Sequence, residues 1–170
     1  MEIATAVGMS KRTVYSYYQD KEQLFKTAVQ RAIDRYTVPI ETLRAVETDD
    51  LEATLEAVAR IRIGNVATPT GIRLQRILNA QSFRFPELYQ EAFVVGAGPT
   101  IRFLSDLFVR FNARGEVDIA EPERAAVAFL SLVVSGPARL ITAGSAPDEA
   151  EIQSRIHFSV QLFLNGIRRR

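Results

Sequence analysis

Apolar residues recur every three or four positions over most of this chain, which is the period of a helix. No segment alternates apolar and polar residues as a half-buried strand would, and Gly and Pro fall mainly between the periodic segments. The pattern predicts an all-α fold. The predicted helices cover residues 2–7, 11–17, 21–45, 50–66, 70–82, 87–113, 122–143 and 148–168.

Residues that favour helix ends mark several of these boundaries. Pro39 lies inside the predicted helix 21–45, where a proline either kinks or splits the helix near Tyr36 or follows a plain helix end near Val38. Both alternatives stay open. Pairs that resemble capping boxes are Asp20 with Gln23, Asp49 with Glu52, and Ser145 with Asp148.

Residues 2–17 carry the spacing of a helix-turn-helix. This motif needs a small residue where its helices touch, a glycine where the chain turns, and an apolar residue on the buried side of the second helix. Ala4, Gly8 and Val14 occupy these positions in order. The second helix would expose basic and hydroxyl side chains, which suit phosphates and base edges in a DNA major groove. A short amphipathic hairpin with solvated charges is the alternative.

Charge and composition narrow the function. The 170 residues contain 21 basic and 20 acidic side chains, yet all the lysines (Lys11, Lys21 and Lys26) lie near the N-terminus, which favours a nucleic-acid contact there. Cysteine is absent, and a single histidine, His157, leaves too few ligands for an ordinary zinc or iron site. Without a phosphate-binding loop or metal-ligand cluster, the sequence predicts neither an enzyme nor a cofactor.

The chain also lacks the marks of a membrane or exported protein. No uninterrupted apolar run reaches the ~18 residues that a membrane span needs. The residues after Met1 have neither the basic start nor the long apolar stretch of a signal peptide. We therefore expect a cytoplasmic protein with no membrane partner.

The segment that follows Ser10 carries a more specific motif. Residues 13–25, Thr-Val-Tyr-Ser-Tyr-Tyr-Gln-Asp-Lys-Glu-Gln-Leu-Phe, resemble the signature of the TetR/AcrR family of transcriptional regulators. In that signature a Tyr-x-Tyr-Phe-like cluster ends a short recognition helix, and Lys-Glu-x-Leu-Phe begins the next, long helix. The likeness covers residues 2–29. In addition, residues 84–88, Arg-Phe-Pro-Glu-Leu, followed by a helix containing Gly-Pro, resemble the AefR-like C-terminal subgroup.

The resemblance implies a fold and a set of DNA contacts. Residues 1–36 would form a helix-turn-helix DNA-binding domain with the start of a linking helix, and residues 37–170 a helical ligand-binding and dimerisation domain. Lys21, beside the N-terminus of the linking helix, would hold a phosphate. A further helix is expected before Glu2. The implied DNA-facing residues are Ser10, Lys11, Arg12, Thr13, Tyr15, Ser16, Tyr17 and Lys21.

A ligand pocket is predicted in the middle of the chain. Segment 57–86 contains five arginines and no acid, so these are either solvated surface charges or include one or two that point inward towards an anionic or polar ligand. Gly96, Gly98 and Pro99 interrupt the aromatic-rich segment 87–113, which then forms either the wall of a mostly apolar pocket or a kinked core helix packed solid. The predicted ligand-binding residues are Gln75, Arg76, Asn79, Phe93 and Phe103.

The two last helices predict a homodimer. Residues 125–134 are apolar except Ser131, and the final helix carries a broad apolar face. Both helices must therefore pack against other helices to keep these apolar surfaces away from water. A two-fold dimer built as a four-helix bundle would supply this packing, and the family resemblance implies the same arrangement. His157 is expected to pack or to face solvent. The predicted interface residues are Phe129, Val133, Ile156, Val160 and Phe163.

The sequence as a whole predicts a ligand-responsive, DNA-binding transcriptional regulator. We expect a repressor that binds a palindromic double-stranded operator as a homodimer and is released by a mostly apolar small-molecule effector. The alternative is an all-helical, dimeric ligand-binding module that does not bind DNA because the first helix of its DNA-binding domain is missing.

Overall fold

The computed structural model describes residues 17–145 and 148–168. They form eight α-helices and one π-helical segment, Ala92–Ala97, so the predicted all-α fold is confirmed. The predicted helices 2–7 and 11–17 lie outside the described residues, apart from Tyr17. The α-helices are α1 (Lys21–Tyr36), α2 (Ile40–Arg44), α3 (Leu51–Ala67), α4 (Pro69–Gln81), α5 (Pro86–Glu91), α6 (Gly98–Ala113), α7 (Pro122–Ala143) and α8 (Glu149–Ile167).

Side-chain caps set the start of the linking helix α1, and a proline determines where it stops. The Asp20 carboxylate accepts a hydrogen bond from the backbone N–H of Gln23 at 2.7 Å, and the Gln23 side chain accepts one from the backbone N–H of Gln19 at 2.6 Å. Helix α1 ends at Tyr36, and Pro39 precedes the short helix α2. The predicted helix 21–45 is therefore split near Tyr36.

Two helices begin later than the predicted capping boxes place them. Helix α3 is capped by Asp50, whose side chain accepts from the backbone N–H of Ala53, while Asp49 lies 3.3 Å from an Arg114 guanidinium nitrogen. Helix α8 is capped by Asp148. Adjacent carboxylates make such caps ambiguous in sequence, because any one of them can accept the same kind of hydrogen bond.

The main hydrophobic core lies between α3, α6, α7 and α8. Its largest buried side chains include Phe108 and Phe129, and the Phe163 ring packs 5.6 and 5.2 Å from these two rings. Contacts with α3, α6 and α8 surround much of α7. This packing explains why the sequence of α7 is apolar almost all round.

A smaller hydrophobic cluster holds α1 against the rest of the protein. Val29 and Ile33 of α1 pack with buried residues of α4 and α5 and of the turn between them: Leu74, Leu78, Phe85 and Leu88. Helix α1 is thus attached to α4, α5 and the π-helical segment.

Two stretches, Pro86–Ala113 and Pro122–Ala143, are long and apolar enough to cross a membrane by length and composition. In the fold, α6 and α7 turn their buried faces into the main core. That packing accounts for part of their apolar composition.

Candidate ligand-binding site

An open cavity of about 590 Å³ lies between α4, α7 and the segment that joins α5 to α6. This volume falls within the ~300–1,000 Å³ typical of small-molecule sites. Apolar lining comes from residues such as Leu78, Ile101 and Leu130, and polar lining from Gln75, Asn79, Ser131, Ser135 and Thr142. The cavity combines an apolar wall with a few hydrogen-bonding groups.

The π-helical segment forms one wall of this cavity. Pro99 has no backbone N–H, so the regular α-helical hydrogen-bond ladder cannot continue through this point. The Val95 carbonyl accepts a 3.4 Å hydrogen bond from the Thr37 hydroxyl just beyond α1. Phe93 and Tyr89 both line the cavity and are 49% and 47% exposed. Short π-helical segments are frequent at functional sites, and this one touches α1 and the cavity together.

Arg62 of α3 forms part of the cavity wall. One of its terminal nitrogens donates a 2.9 Å hydrogen bond to the Gly96 carbonyl of the π-helical segment. Its Nε is buried and has no hydrogen-bond partner among the described residues. Burial lowers the pKa of Arg62 from its usual value, but a guanidinium stays charged at neutral pH. The cavity wall therefore carries a largely desolvated positive charge.

A second, smaller space of about 80 Å³ connects the cavity wall to the end of α1. It shares Arg62 with the larger cavity, and Tyr36 and Gly71 are among its lining residues. The Tyr36 hydroxyl lies 3.1 Å from the Thr68 hydroxyl, and burial raises the Tyr36 pKa, which keeps the phenol neutral. A Cβ on Gly71 would lie 1.7 Å from the Tyr36 hydroxyl oxygen, so only glycine allows this close packing.

Charged contacts join the first half of α1 to α5. The Lys26 ammonium lies 2.8 Å from a Glu87 carboxylate oxygen and 3.1 Å from a Glu22 carboxylate oxygen. Hydrogen bonds to Glu87 and Glu22 raise the pKa of Lys26, and the Lys26 hydrogen bond lowers that of Glu87. The Gln30 amide donates to Glu91 at 2.9 Å. Two side-chain contacts, at Lys26 and Gln30, therefore tie the middle of α1 to α5.

Known protein families match most of the chain. Residues 53–166 match the AefR-like transcriptional repressor C-terminal domain, and residues 1–28 match the tetR family of bacterial regulatory proteins. The chain belongs to the TetR family. It is a DNA-binding transcriptional regulator, which confirms the resemblance seen in sequence, and family membership points to a regulator and not an enzyme.

Two solved structures share this TetR-family fold. A putative TetR-family transcriptional regulator from Mesorhizobium loti MAFF303099 is 26% identical, with a TM-score of 0.81. The flavonoid-responsive regulator FrrA is 29% identical, with a TM-score of 0.70. Each alignment covers 99% of this chain and 85% of the other. No curated protein matches the chain.

Three of the five predicted ligand-binding residues line the cavity of this TetR-family protein, namely Gln75, Asn79 and Phe93. Arg76 instead donates from Nε to the Thr142 carbonyl at 2.7 Å, which ties α4 to the end of α7. Phe103 is buried in the main core, because its face of α6 packs inward. For these residues, both alternatives raised for segment 87–113 hold in part: the interrupted portion lines a cavity, and α6 packs solid.

Sequence reasoning missed Arg62 as an individual site residue, although it belongs to the five arginines of segment 57–86. The sequence does contain a spacing that indicates the position of Arg62. Val58 and Val66 lie four positions before and after Arg62, so this arginine occupies the helix face that carries buried apolar residues. Tyr89 and Arg139 were also missed and line the same cavity.

The residues predicted for the dimer interface pack mostly inside one protomer. Phe129, Val133, Ile156 and Val160 are buried in the main core, and Phe163 packs against it. The reason is that α7 and α8 cover one another and α3 and α6 within the same chain. The large apolar side chains that these two helices expose are Leu132, Phe158 and Leu162, at 42%, 69% and 54%.

The predicted DNA contacts are mostly outside the described residues. Ser10, Lys11, Arg12, Thr13, Tyr15 and Ser16 all lie there. Tyr17 is 72% exposed, and Lys21 is exposed in the first turn of α1. Both are accessible to a phosphate backbone, and their DNA contacts remain predictions.

His157 lies in a polar contact between α8 and α3. Its Nδ1 is 2.7 Å from a Glu56 carboxylate oxygen. One imidazole nitrogen of His157 and one carboxylate oxygen each from Glu52 and Glu56 lie within 4.8 Å of one another. Glu52 accepts hydrogen bonds from Gln161 and Arg168. These contacts account for the cluster as a polar link between two helices.

Proposed function

We propose that this TetR-family protein is a cytoplasmic repressor that binds a palindromic DNA operator as a homodimer and is released when a small, mostly apolar molecule enters the cavity. One observation supports this most directly. Val95 in the π-helical wall of the cavity accepts a hydrogen bond from Thr37 at the end of the linking helix α1. A bound ligand and the DNA-binding end of the protein would therefore be connected through α1.

The coupling we propose is a shift between two positions of α1. A ligand against Phe93 and Tyr89 would favour one arrangement of α5 and the π-helical segment. Because Lys26 and Gln30 hold α1 to Glu87 and Glu91 of α5, α1 would move with α5. A ligand shifts such an equilibrium only by the difference between its affinities for the two states.

The effector we propose has an aromatic or similarly flat apolar body. Half-exposed Tyr89 and Phe93 give such a body two rings to stack on, in the offset or edge-on geometries that aromatic pairs prefer. A solved structure similar to this chain is named as a flavonoid-responsive regulator, which supports an aromatic effector here.

We place the proposed dimer contact on the outward faces of α7 and α8. Phe158 and Leu162 lie four residues apart and so share a helix face, and Leu132 lies on α7. Pairing these faces across a two-fold axis would form a four-helix bundle. Two recognition helices held by such a dimer would enter successive major grooves of a palindrome.

The test is DNA binding to fragments from the promoter upstream of the protein's own gene and from neighbouring promoters, measured by fluorescence anisotropy. We expect affinity for at least one fragment that falls steeply with salt, since phosphate contacts release counterions. Addition of a cavity ligand should weaken it. A protein that dimerises and binds ligand, yet shows no salt-dependent binding to any fragment, would instead be the ligand-binding module considered above.

A further inference from the structure

We propose that the cavity ligand is an apolar, ring-containing monoanion whose carboxylate or phenolate oxygen pairs with Arg62. This inference rests on the proposed function, because it names the chemical class of the effector for the same cavity. An apolar wall alone would accept neutral and anionic effectors alike, whereas Arg62 would favour the anionic ones.

The cavity lacks a countercharge for Arg62. Among the residues that the structure describes, those lining the cavity include Arg62 and Arg139 but no Asp or Glu. Within the described part of the chain, the Arg62 side chain donates to one neutral group, the backbone carbonyl of Gly96. A largely desolvated charge without an opposite charge is costly, and an anionic ligand would supply that charge.

The Arg62 side chain also has an unpaired donor. Arg62 Nε is buried and lacks a partner among the described residues, although most buried polar atoms in proteins have one. An arginine presents its donors as a planar fork that matches two oxygens of one carboxylate or the single oxygen of a phenolate. The unpaired Nε leaves the guanidinium incompletely hydrogen-bonded, and a small turn of this side chain in the cavity wall would give an anionic oxygen a charge-assisted hydrogen bond.

Comparison with other arginines of this chain shows that Arg62 is unusual. Arg84, Arg110 and Arg155 each lie within ion-pair distance of a glutamate, and all three are exposed at the surface. Arg62, although more buried, has only the Gly96 carbonyl. Arg62 lies between buried Val58 and half-buried Val66 on α3, where a charge without an acidic partner costs stability, which argues for an anionic ligand.

The remaining cavity lining fits the rest of such a ligand. Tyr89 and Phe93 offer aromatic surface to a ring, and the amides of Gln75 and Asn79 can bond polar substituents. Gln75 donates to Asn79 at 3.0 Å, so the pair is already oriented before a ligand binds. The same open cavity thus offers a charge, an aromatic wall and a polar pair.

The experiment compares matched anions and neutral derivatives on the purified full chain by isothermal titration calorimetry at pH 8.5, without DNA. The probes are cinnamate with methyl cinnamate for a carboxylate, and 4-nitrophenolate with 4-nitroanisole for a phenolate. We expect at least one acidic member to bind about tenfold or more tightly than its neutral twin. In Arg62→Gln that ratio should fall to about one.

Arg60→Gln is the matched control, because Arg60 lies on the same helix, is exposed and donates to Gln153 away from the cavity. It should keep the wild-type ratio. Arg62→Met serves if Arg62→Gln fails to fold. Equal binding of acid and neutral twin by the wild type in both pairs overturns the proposal, and so does a preference that survives in a folded Arg62 variant.

The two proposals fail separately. If acids bind at Arg62 but leave DNA binding unchanged, the ligand class stands and the effector role fails. If only neutral molecules release DNA, the effector role stands and the anion proposal fails.

Discussion

At the residue scale, two positions decide how the cavity relates to α1. Arg62 brings a positive charge to the cavity wall, and its helical spacing from Val58 and Val66 could have been noticed in the sequence. The importance of Gly71 could not have been noticed in the sequence, because it comes from contact with Tyr36, which lies far away in the chain. Sequence spacing reports which face of one helix a residue occupies, and says nothing about which distant ring approaches it.

Gly71→Ala tests this close contact. The new methyl group would lie 1.7 Å from the Tyr36 hydroxyl oxygen and 2.6 Å from the Asn65 carbonyl oxygen, so the end of α1 must move. We expect a loss of about 1–3 kcal/mol in the free energy of unfolding, measured by urea denaturation.

Gly64→Ala provides the control for Gly71→Ala. Nothing lies within 4 Å of its new Cβ, so this change in α3 should be neutral or stabilise by up to about 1 kcal/mol. Equal stability of the Gly71 variant and wild type would contradict the steric argument.

At the element scale, the helices could be predicted closely and their interruptions less so. The capping and proline signals placed most helix ends within a residue or two. Gly96, Gly98 and Pro99 also indicated an interruption in segment 87–113. That the interruption takes π-helical form, and holds Arg62 and Thr37 through successive carbonyls, depends on packing against α1 and α3. Such packing leaves no periodic trace in the sequence.

The contact between α1 and α5 predicts a specific pH dependence. A carboxyl whose pKa is lower in the folded state stabilises that state above its unfolded pKa and loses this contribution as the pH falls through the folded value. The Lys26 hydrogen bond lowers the pKa of Glu87 from 4.5, so its contribution should disappear as the pH falls below 4.5.

Glu87→Gln measures that contribution. Its Tm should lie below that of the wild type at pH 7, and the difference should shrink as the pH falls below 4.5. Asp106→Asn, an exposed acid in the middle of α6, is the comparison and should show a smaller difference at pH 7. A Tm gap for Glu87→Gln that persists unchanged at pH 3 would argue against the ion pair as its origin.

At the scale of the whole molecule, the sequence identified helices that need cover but could not say which copy of the chain supplies it. The apolar faces that contain Phe129 and Val160 are packed against other helices of the same protomer. What remains for a partner is the outer strip that contains Leu132, Phe158 and Leu162. Helical periodicity is the same for a face covered by its own chain and a face covered by a second copy.

Replacing Phe158 and Leu162 together by Glu tests the proposed dimer. Two charges at the centre of a paired apolar face would be desolvated without partners, so we expect the molar mass from light scattering to fall to that of a monomer. Phe83→Glu changes a more exposed phenylalanine between α4 and α5 and should leave the mass unchanged. A dimer that survives the double change must use another surface.

The division of the apolar core into two clusters has a kinetic consequence. Helix α1 relies on a small cluster around Ile33 and Phe85, whereas α6, α7 and α8 share the large one. Opening that small cluster exposes little apolar surface, so α1 should detach and rejoin many times for each global unfolding event. Amide hydrogens of α1 should therefore exchange with solvent much faster than those around Leu104 and Phe129. Uniform protection of both regions would mean that the molecule opens as one unit.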